Sequence, residues 1–169
     1  MDSQAVKTTE AGGIKGYGKE KATKGRKRFV FVDILGLLLC ALILPAHIQD
    51  RDGGAALLRL VHAQYPSIQK AFVDSAFNST PIEQASKDTG IEVERKAKPE
   101  GQPGFVPIPK RWVVERTNAW VGRYRRNSKD YERRTDSSES MIRISSINLM
   151  LRRLAPNAKV QTFNYRPAA

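Results

Sequence analysis

The chain has 169 residues, of which 40% are hydrophobic and 27% are charged. This length suits one domain, and this composition excludes wholesale disorder, a collagen-like repeat and a polytopic membrane protein. The 29 Lys and Arg residues outnumber the 17 Asp and Glu residues, which gives a net charge of +12 and favours a polyanionic partner. The single cysteine, Cys40, excludes an internal disulfide framework and a cysteine-rich zinc module.

The first 28 residues are polar and rich in glycine and lysine. The first fifteen are mixed in charge, unlike the start of a secretory signal. From Lys15 to Arg28 there are seven basic residues and one acid. Such a segment is typical of a loop or a β-ribbon that contacts phosphate groups, and a solvated basic loop explains it equally well.

An apolar run follows at residues 29–46, directly after a basic cluster, and this arrangement imitates a membrane anchor. Asp33 interrupts the run and leaves 13 uninterrupted residues, whereas a membrane-spanning helix needs about 20. We therefore predict two strands, at 28–33 and 37–44, joined by a tight turn at Gly36. The alternative is a single buried helix, and Pro45 ends either structure.

Helices and strands alternate after this hairpin. Asp50 or Asp52 is predicted to cap the first helix, and the strand at 68–74 ends in Asp74. The remaining predictions are a helix at 55–64, a helix from Thr80 to Thr89 that stops at Gly90, a strand at 91–96, a proline-rich loop at 97–109, a helix at 110–126, and a helix that starts near Asp136 and ends before Pro156. This order indicates an α/β fold, a mixed sheet flanked by helices, over residues 1–155, followed by an irregular tail at 156–169.

The last two helices carry predicted apolar faces. In the first of them, Trp112 and Trp120 are interpreted as core residues rather than as base-stacking platforms. In the second, the predicted buried side consists of Met141, Ile144, Ile147, Leu151 and Leu154. Cys40 is expected in the core of the apolar strand.

Three acids are notable for their positions. Asp2 begins the chain's first strand, Asp74 ends a later one, and Glu115 lies on a helix. Carboxylates at strand ends and on an adjacent helix can converge on a magnesium or manganese site, although surface carboxylates are usually only solvated. Asp33 also ends a strand and is better explained as a turn-forming residue.

Several blocks resemble, in the same order, the small bacterial insertion-sequence transposases of the DDE type. The blocks are DSQAVKTTEAGG at 2–13, KGRKR at 24–28, VDILG at 32–36, IQDRDG at 48–53, RWVVERTNAW at 111–120 and SKDYER at 128–133. The resemblance covers about residues 2–155, nearly the whole chain.

The resemblance implies a ribonuclease-H-like fold in which Asp2, Asp74 and Glu115 are the catalytic residues and hold two magnesium or manganese ions. Water would attack the phosphodiester at an element end, and the freed 3′ hydroxyl would attack target DNA. The implied partners are the element ends and target DNA, with a homo-oligomer and no membrane. The implied location is the bacterial cytoplasm, at the nucleoid.

Six basic residues are candidates for contact with DNA, although any single one of them could instead be only solvated. They are Lys24, Arg26, Lys27, Arg111, Arg116 and Arg123. Arg111 matches the arginine of the family's closing signature, for which we expect contact with a phosphate or a carboxylate. Arg123 could replace the charge of a lysine in that signature, whereas the signature's tyrosine is missing near Ile108.

Two departures from the family bear on activity. Met1 stands directly before Asp2, where members carry the front of the first strand and a DNA-binding segment, and residues 157–169 do not resemble the family. We therefore expect a truncated copy with a shortened first strand, and leave open whether it is an active enzyme. The alternatives are a non-catalytic basic DNA-binding remnant and a small membrane-anchored basic protein.

Overall fold

The computed structural model describes residues 1–77, 79–95 and 110–155. The strands are β1 (Asp2–Lys7), β2 (Gly16–Gly18), β3 (Thr23–Val32), β4 (Leu38–Pro45), β5 (Lys70–Val73) and β6 (Glu92–Arg95). The helices are α1 (Asp50–Gln64), α2 (Thr80–Thr89), α3 (Trp112–Gly122) and α4 (Thr135–Leu154), with short 3₁₀ turns at Ser75–Phe77 and Arg125–Asn127. The proline-rich loop and the tail predicted from the sequence lie outside the described residues.

β3 is the central strand of an antiparallel sheet. β1 pairs with it from Asp2↔Val30 onward, β4 pairs with it through the register Phe31↔Cys40, and β2 pairs with its first residues. The apolar run at 29–46 is therefore a hairpin, so the two-strand prediction is confirmed and the single-helix alternative is wrong. Among the described residues, no helix is long and apolar enough to cross a membrane.

The β3–β4 turn shows why the sequence changes direction at Asp33. The Asp33 side chain accepts hydrogen bonds from the backbone N–H groups of Leu35 and Leu37, both at 2.8 Å. Gly36 has φ = +83°, a conformation that favours glycine. The interpretation of Asp33 as a turn-forming residue is confirmed.

β5 and β6 form a parallel pair, from Lys70↔Glu92 to Val73↔Arg95. The Met1 ammonium donates a hydrogen bond of 2.6 Å to the Phe72 carbonyl, which places β5 beside the start of β1. Antiparallel and parallel pairs thus occur in one α/β fold, and the end of β5 faces the beginning of β1.

Helices cover both faces of the antiparallel sheet. One buried cluster joins Phe29 and Phe31 of β3 to Leu57 and Val61 of α1, and it also contains Cys40, as expected. A second cluster lies on the opposite face and joins strand residues to α3 and α4; its members are Val30, Ala41, Ile43, Val114, Val121 and Ile142. The second half of β3 is therefore covered on both sides, which explains the continuous apolar sequence at residues 29–32.

α1 begins at Asp50, earlier than predicted, and two glycines near its start let it approach the aromatic core. A Cβ on Gly53 would lie 2.2 Å from the Phe29 ring. The residue at the N-cap position is Gln49, so the prediction that Asp50 or Asp52 caps this helix is wrong. The Asp50 carboxylate instead accepts a hydrogen bond from Ser3 Oγ at 2.7 Å.

α4 turns a different side inward from the one predicted. Its buried residues are Ser138, Ile142, Ser145 and Ser146, whereas Ile144, Ile147, Leu151 and Leu154 are at least half exposed. Two of these serines, Ser138 and Ser145, satisfy buried polar groups. Ser138 Oγ donates to Asp130, and Ser145 Oγ accepts a 2.7 Å hydrogen bond from Asn127.

Candidate active site

Three elements converge where β1 begins and β5 ends. Asp2 is the first residue of β1, Asp74 directly follows β5, and Glu115 lies in the first turn of α3. The Met1–Phe72 hydrogen bond sets the first two elements side by side. The Asn118 amide on α3 donates a 2.9 Å hydrogen bond to Asp2 Oδ2, which ties the helix to β1.

Arg111 joins the other two acids. Its Nη2 atom lies 3.0 Å from Asp74 Oδ2 and 3.0 Å from Glu115 Oε1. The Arg111–Glu115 pair spans one turn of α3, whereas the Arg111–Asp74 pair crosses to the end of β5. A single guanidinium nitrogen therefore lies between two of the three sequence-predicted acids.

Burial controls the protonation of the residues at the start of β1. It raises the pKa of Asp2, and the negative charge of Glu115 acts in the same direction, while the Ser3 backbone N–H, the Met1 ammonium and Arg111 oppose the shift. Burial also lowers the pKa of the Met1 ammonium to about 6. The charges of Glu115 and Arg111 thus act on Asp2, as expected for groups that share one site.

The donor chemistry of these acids fits a divalent cation. Carboxylate oxygens are the ligands that magnesium and manganese prefer. Over the part of the chain that the structure describes, however, no three His, Cys, Asp or Glu side chains are arranged to hold a metal ion. In the arrangement described, the Arg111 guanidinium is the cation between Asp74 and Glu115.

Two of the basic residues expected on a DNA surface are buried. Arg26 is 0% exposed, and its guanidinium lies 3.2 Å from the buried Asp130 carboxylate. Lys27 is also buried, with its Nζ atom 3.0 Å from Asp50 Oδ1. The assignment of these two residues to a DNA surface does not agree with their burial, because both are engaged in internal ion pairs.

Arg116 fastens α3 to the β3–β4 turn. Its guanidinium carbon lies 4.4 Å from the ring centres of both Trp112 and Trp120, and its Nη2 donates a 2.9 Å hydrogen bond to the Leu35 carbonyl. Trp112 is 40% exposed, so the prediction that it is a core residue is wrong. The two indole rings make cation–π contacts with Arg116 rather than forming part of the hydrophobic core.

The remaining basic residues lie on the outside. Arg123 and Lys24 are both exposed. Lys24 belongs to a basic area around the exposed Tyr17 that we call the lysine surface; it consists of Lys7, Lys15, Lys19, Lys21 and Lys24. Three of these, Lys7, Lys15 and Lys24, surround a shallow depression of about 280 Å³. None of the lysines of this surface takes part in an ion pair between described residues.

Asn118 is the site residue that sequence reasoning missed. It follows Glu115 by three residues and Arg111 by seven, so the three side chains share one face of α3. This spacing was readable in the sequence. What the sequence could not show is that this face meets Asp2, 116 residues away.

Comparison with known proteins gives two findings. The family model described as "Transposase DDE domain" matches residues 1–150. A Burkholderia cepacia protein provisionally named as the transposase for insertion sequence element IS402 is 30% identical over 136 residues, which are 74% of this chain and 62% of that protein. The chain therefore spans about three fifths of the length of this curated relative.

Proposed function

The chain belongs to the family of transposases with a DDE domain, and on this premise we propose that it carries the catalytic centre that cleaves and joins DNA at the ends of an insertion sequence. The observation that supports this most directly is the convergence of Asp2, Asp74 and Glu115, two of them held by Arg111 and the third by Asn118. These acids come from a strand start, a strand end and a helix. That placement is the one expected of a ribonuclease-H-like fold, which we propose for this chain.

The family uses divalent metal ions, which activate an attacking hydroxyl and stabilise a leaving oxygen in phosphodiester chemistry. We propose that Asp2, Asp74 and Glu115 hold these ions, two in number, with magnesium or manganese as the metal. Asn118 orients the Asp2 carboxylate through its amide N–H. Arg111 supplies a fork of N–H donors that fits a phosphate as well as a carboxylate.

DNA would lie across the open side of this site. Arg123 and Lys24 are exposed and remain in the proposed DNA-binding set, together with Arg111 and Arg116. The lysine surface extends the set, because its side chains have no partner among the described acids and can neutralise phosphates. Arg26 and Lys27 are left out because they are buried in ion pairs.

A non-catalytic DNA-binding role is the second candidate. It is favoured by the Arg111 contacts, which neutralise two of the three acids, and by the lack of a ready-made metal cluster among the described residues. This candidate predicts salt-sensitive DNA binding without metal-dependent cleavage.

A nicking assay on supercoiled plasmid DNA with Mn²⁺ separates the two candidates. We expect Asp74→Asn and Glu115→Gln to lower the nicking rate about a hundredfold or more while DNA binding is kept, since each removes a charge that the reacting centre needs. Asp52→Asn is the matched control, because Asp52 is exposed and lies on α1. DNA binding with no nicking by the parent would support the non-catalytic role, and nicking that survives both variants would refute the proposed site.

A further inference from the structure

We propose that Arg111 is a resident cation that competes with the metal ion for Asp74 and Glu115, so that metal binding displaces the guanidinium from the site. This inference rests on the proposed function, since it assumes that these acids bind the metal. It assigns to Arg111 a role in setting the metal affinity of the protein, in addition to its expected contact with phosphate.

The first argument is geometric. The Nη2 atom of the guanidinium is 3.0 Å from Asp74 Oδ2 and 3.0 Å from Glu115 Oε1. It therefore bridges the two carboxylates from the position that a shared cation would take. The other oxygen of Asp74 accepts a 3.0 Å hydrogen bond from Ser75 Oγ, so Oδ2 is the oxygen that faces the site.

The second argument is electrostatic. The Arg111 side chain is only 16% exposed, and those of Asp74 and Glu115 are 33% and 40% exposed. Charges that are partly withdrawn from water interact more strongly than surface pairs and are screened less by salt. Without the guanidinium, two carboxylates would face each other with Asp2 nearby, and a divalent cation would relieve that repulsion.

The third argument concerns the structural change that is needed to open the space between Asp74 and Glu115. Arg111 and Glu115 lie one helical turn apart, and the Arg111 side chain reaches across to Asp74 at the end of β5. Rotation of that side chain would open the space between the two acids while the backbone of α3 stays in place. The displaced guanidinium can then bind a DNA phosphate with the same N–H groups.

Two consequences follow from this competition. The apparent metal affinity of the DNA-free protein is reduced, because only the fraction of molecules with Arg111 displaced can bind metal. DNA that binds the displaced guanidinium raises the metal affinity, and by linkage the metal raises the DNA affinity by the same factor.

Calorimetric titration with Mn²⁺ alone tests the inference on the full chain. Arg111→Gln is expected to bind Mn²⁺ about fivefold or more tightly than the parent, a change at the lower end of ordinary coupling between two ligands. Arg125→Gln, which removes the same charge from an exposed position near the end of α3, is expected to bind as the parent does. An affinity of Arg111→Gln equal to or weaker than that of the parent overturns the inference.

Arg111→Lys and added DNA provide the second measurement. The lysine variant keeps a cation but loses the planar fork, and its Mn²⁺ affinity should fall between those of the parent and Arg111→Gln. A short DNA duplex should tighten Mn²⁺ binding by the parent and leave Arg111→Gln unchanged; equal tightening in both would contradict the inference.

The Mn²⁺ titration also distinguishes a failure of the proposed function from a failure of this inference alone. If Asp74→Asn leaves Mn²⁺ binding as it is in the parent, these acids are not the metal site, and both proposals fall. If Asp74→Asn abolishes binding and Arg111→Gln does not tighten it, the metal site stands and only the competition is wrong.

Discussion

The guanidinium of Arg26 binds five acceptors at once. They are the carbonyls of Ile14, Glu132 and Arg133, the Asp130 carboxylate and the Ser138 hydroxyl. The sequence shows Arg26 only as one of seven basic residues in a run, and its partner Asp130 lies 104 positions away. Nothing local in the sequence separates this structural arginine from its solvated neighbours, which is why composition predicted a basic protein but not which charges face outward.

Arg26→Met tests this role against a DNA-binding one. The variant leaves Asp130 buried without its ion-pair partner, and we expect it to lower the free energy of unfolding by about 3–5 kcal/mol. Lys24→Met, two residues earlier and exposed, should change it by no more than about 0.5 kcal/mol. Urea unfolding followed by circular dichroism measures both, and equal effects of the two variants would contradict the structural role.

At the level of elements, the sequence predicts best where local chemistry decides the structure. The β3–β4 hairpin follows from its apolar run and from Gly36, and α2 ends where Gly90 takes φ = +70°. The buried side of α4 could not be predicted, because hydrophobic periodicity assumes that apolar residues face the core. Here the buried polar groups Asn127 and Asp130 require serines opposite them.

Two isoleucines on α4 make a matched test of which side is buried. Ile142 is 1% exposed and Ile147 is 50% exposed. We expect Ile142→Ala to lower the free energy of unfolding by about 2–5 kcal/mol, as truncation of a buried aliphatic side chain usually does. The free energy of unfolding of Ile147→Ala should differ from that of the parent by no more than about 0.5 kcal/mol. Denaturant unfolding of the two variants measures both changes. A larger loss of stability for Ile147→Ala than for Ile142→Ala would support the buried side predicted from the sequence.

For the whole molecule, the net charge of +12 is distributed unevenly over the surface and the interior. β1 runs from Asp2 at the candidate active site to Lys7 at the lysine surface. At about 3.3 Å per residue, these two positions are roughly 17 Å apart. The lysine surface therefore begins about one strand length away from the candidate active site. The positions of the three acids were inferred from family resemblance, while the contacts of Arg111 and Asn118 depend on long-range packing that no local pattern encodes.

The salt dependence of DNA binding tests the lysine surface. Changing Lys7, Lys15 and Lys24 to Gln should reduce the slope of log affinity against log salt concentration by about 0.9 for each phosphate contact that is lost. A control with Arg51, Arg59 and Lys87 changed to Gln removes the same charge from α1 and α2. Filter binding over a range of NaCl concentrations gives the slopes. If both triple variants change the slope equally, only net charge matters and the surface is not a specific contact.

The stacking of Arg116 between two indole rings has an optical consequence. The chain contains two tryptophans, and both lie on α3 against the residue that follows Glu115. All intrinsic tryptophan fluorescence therefore originates from the helix that carries part of the candidate site. A shift in tryptophan emission when metal or DNA is added would report directly on a change in the surroundings of this helix, without a label.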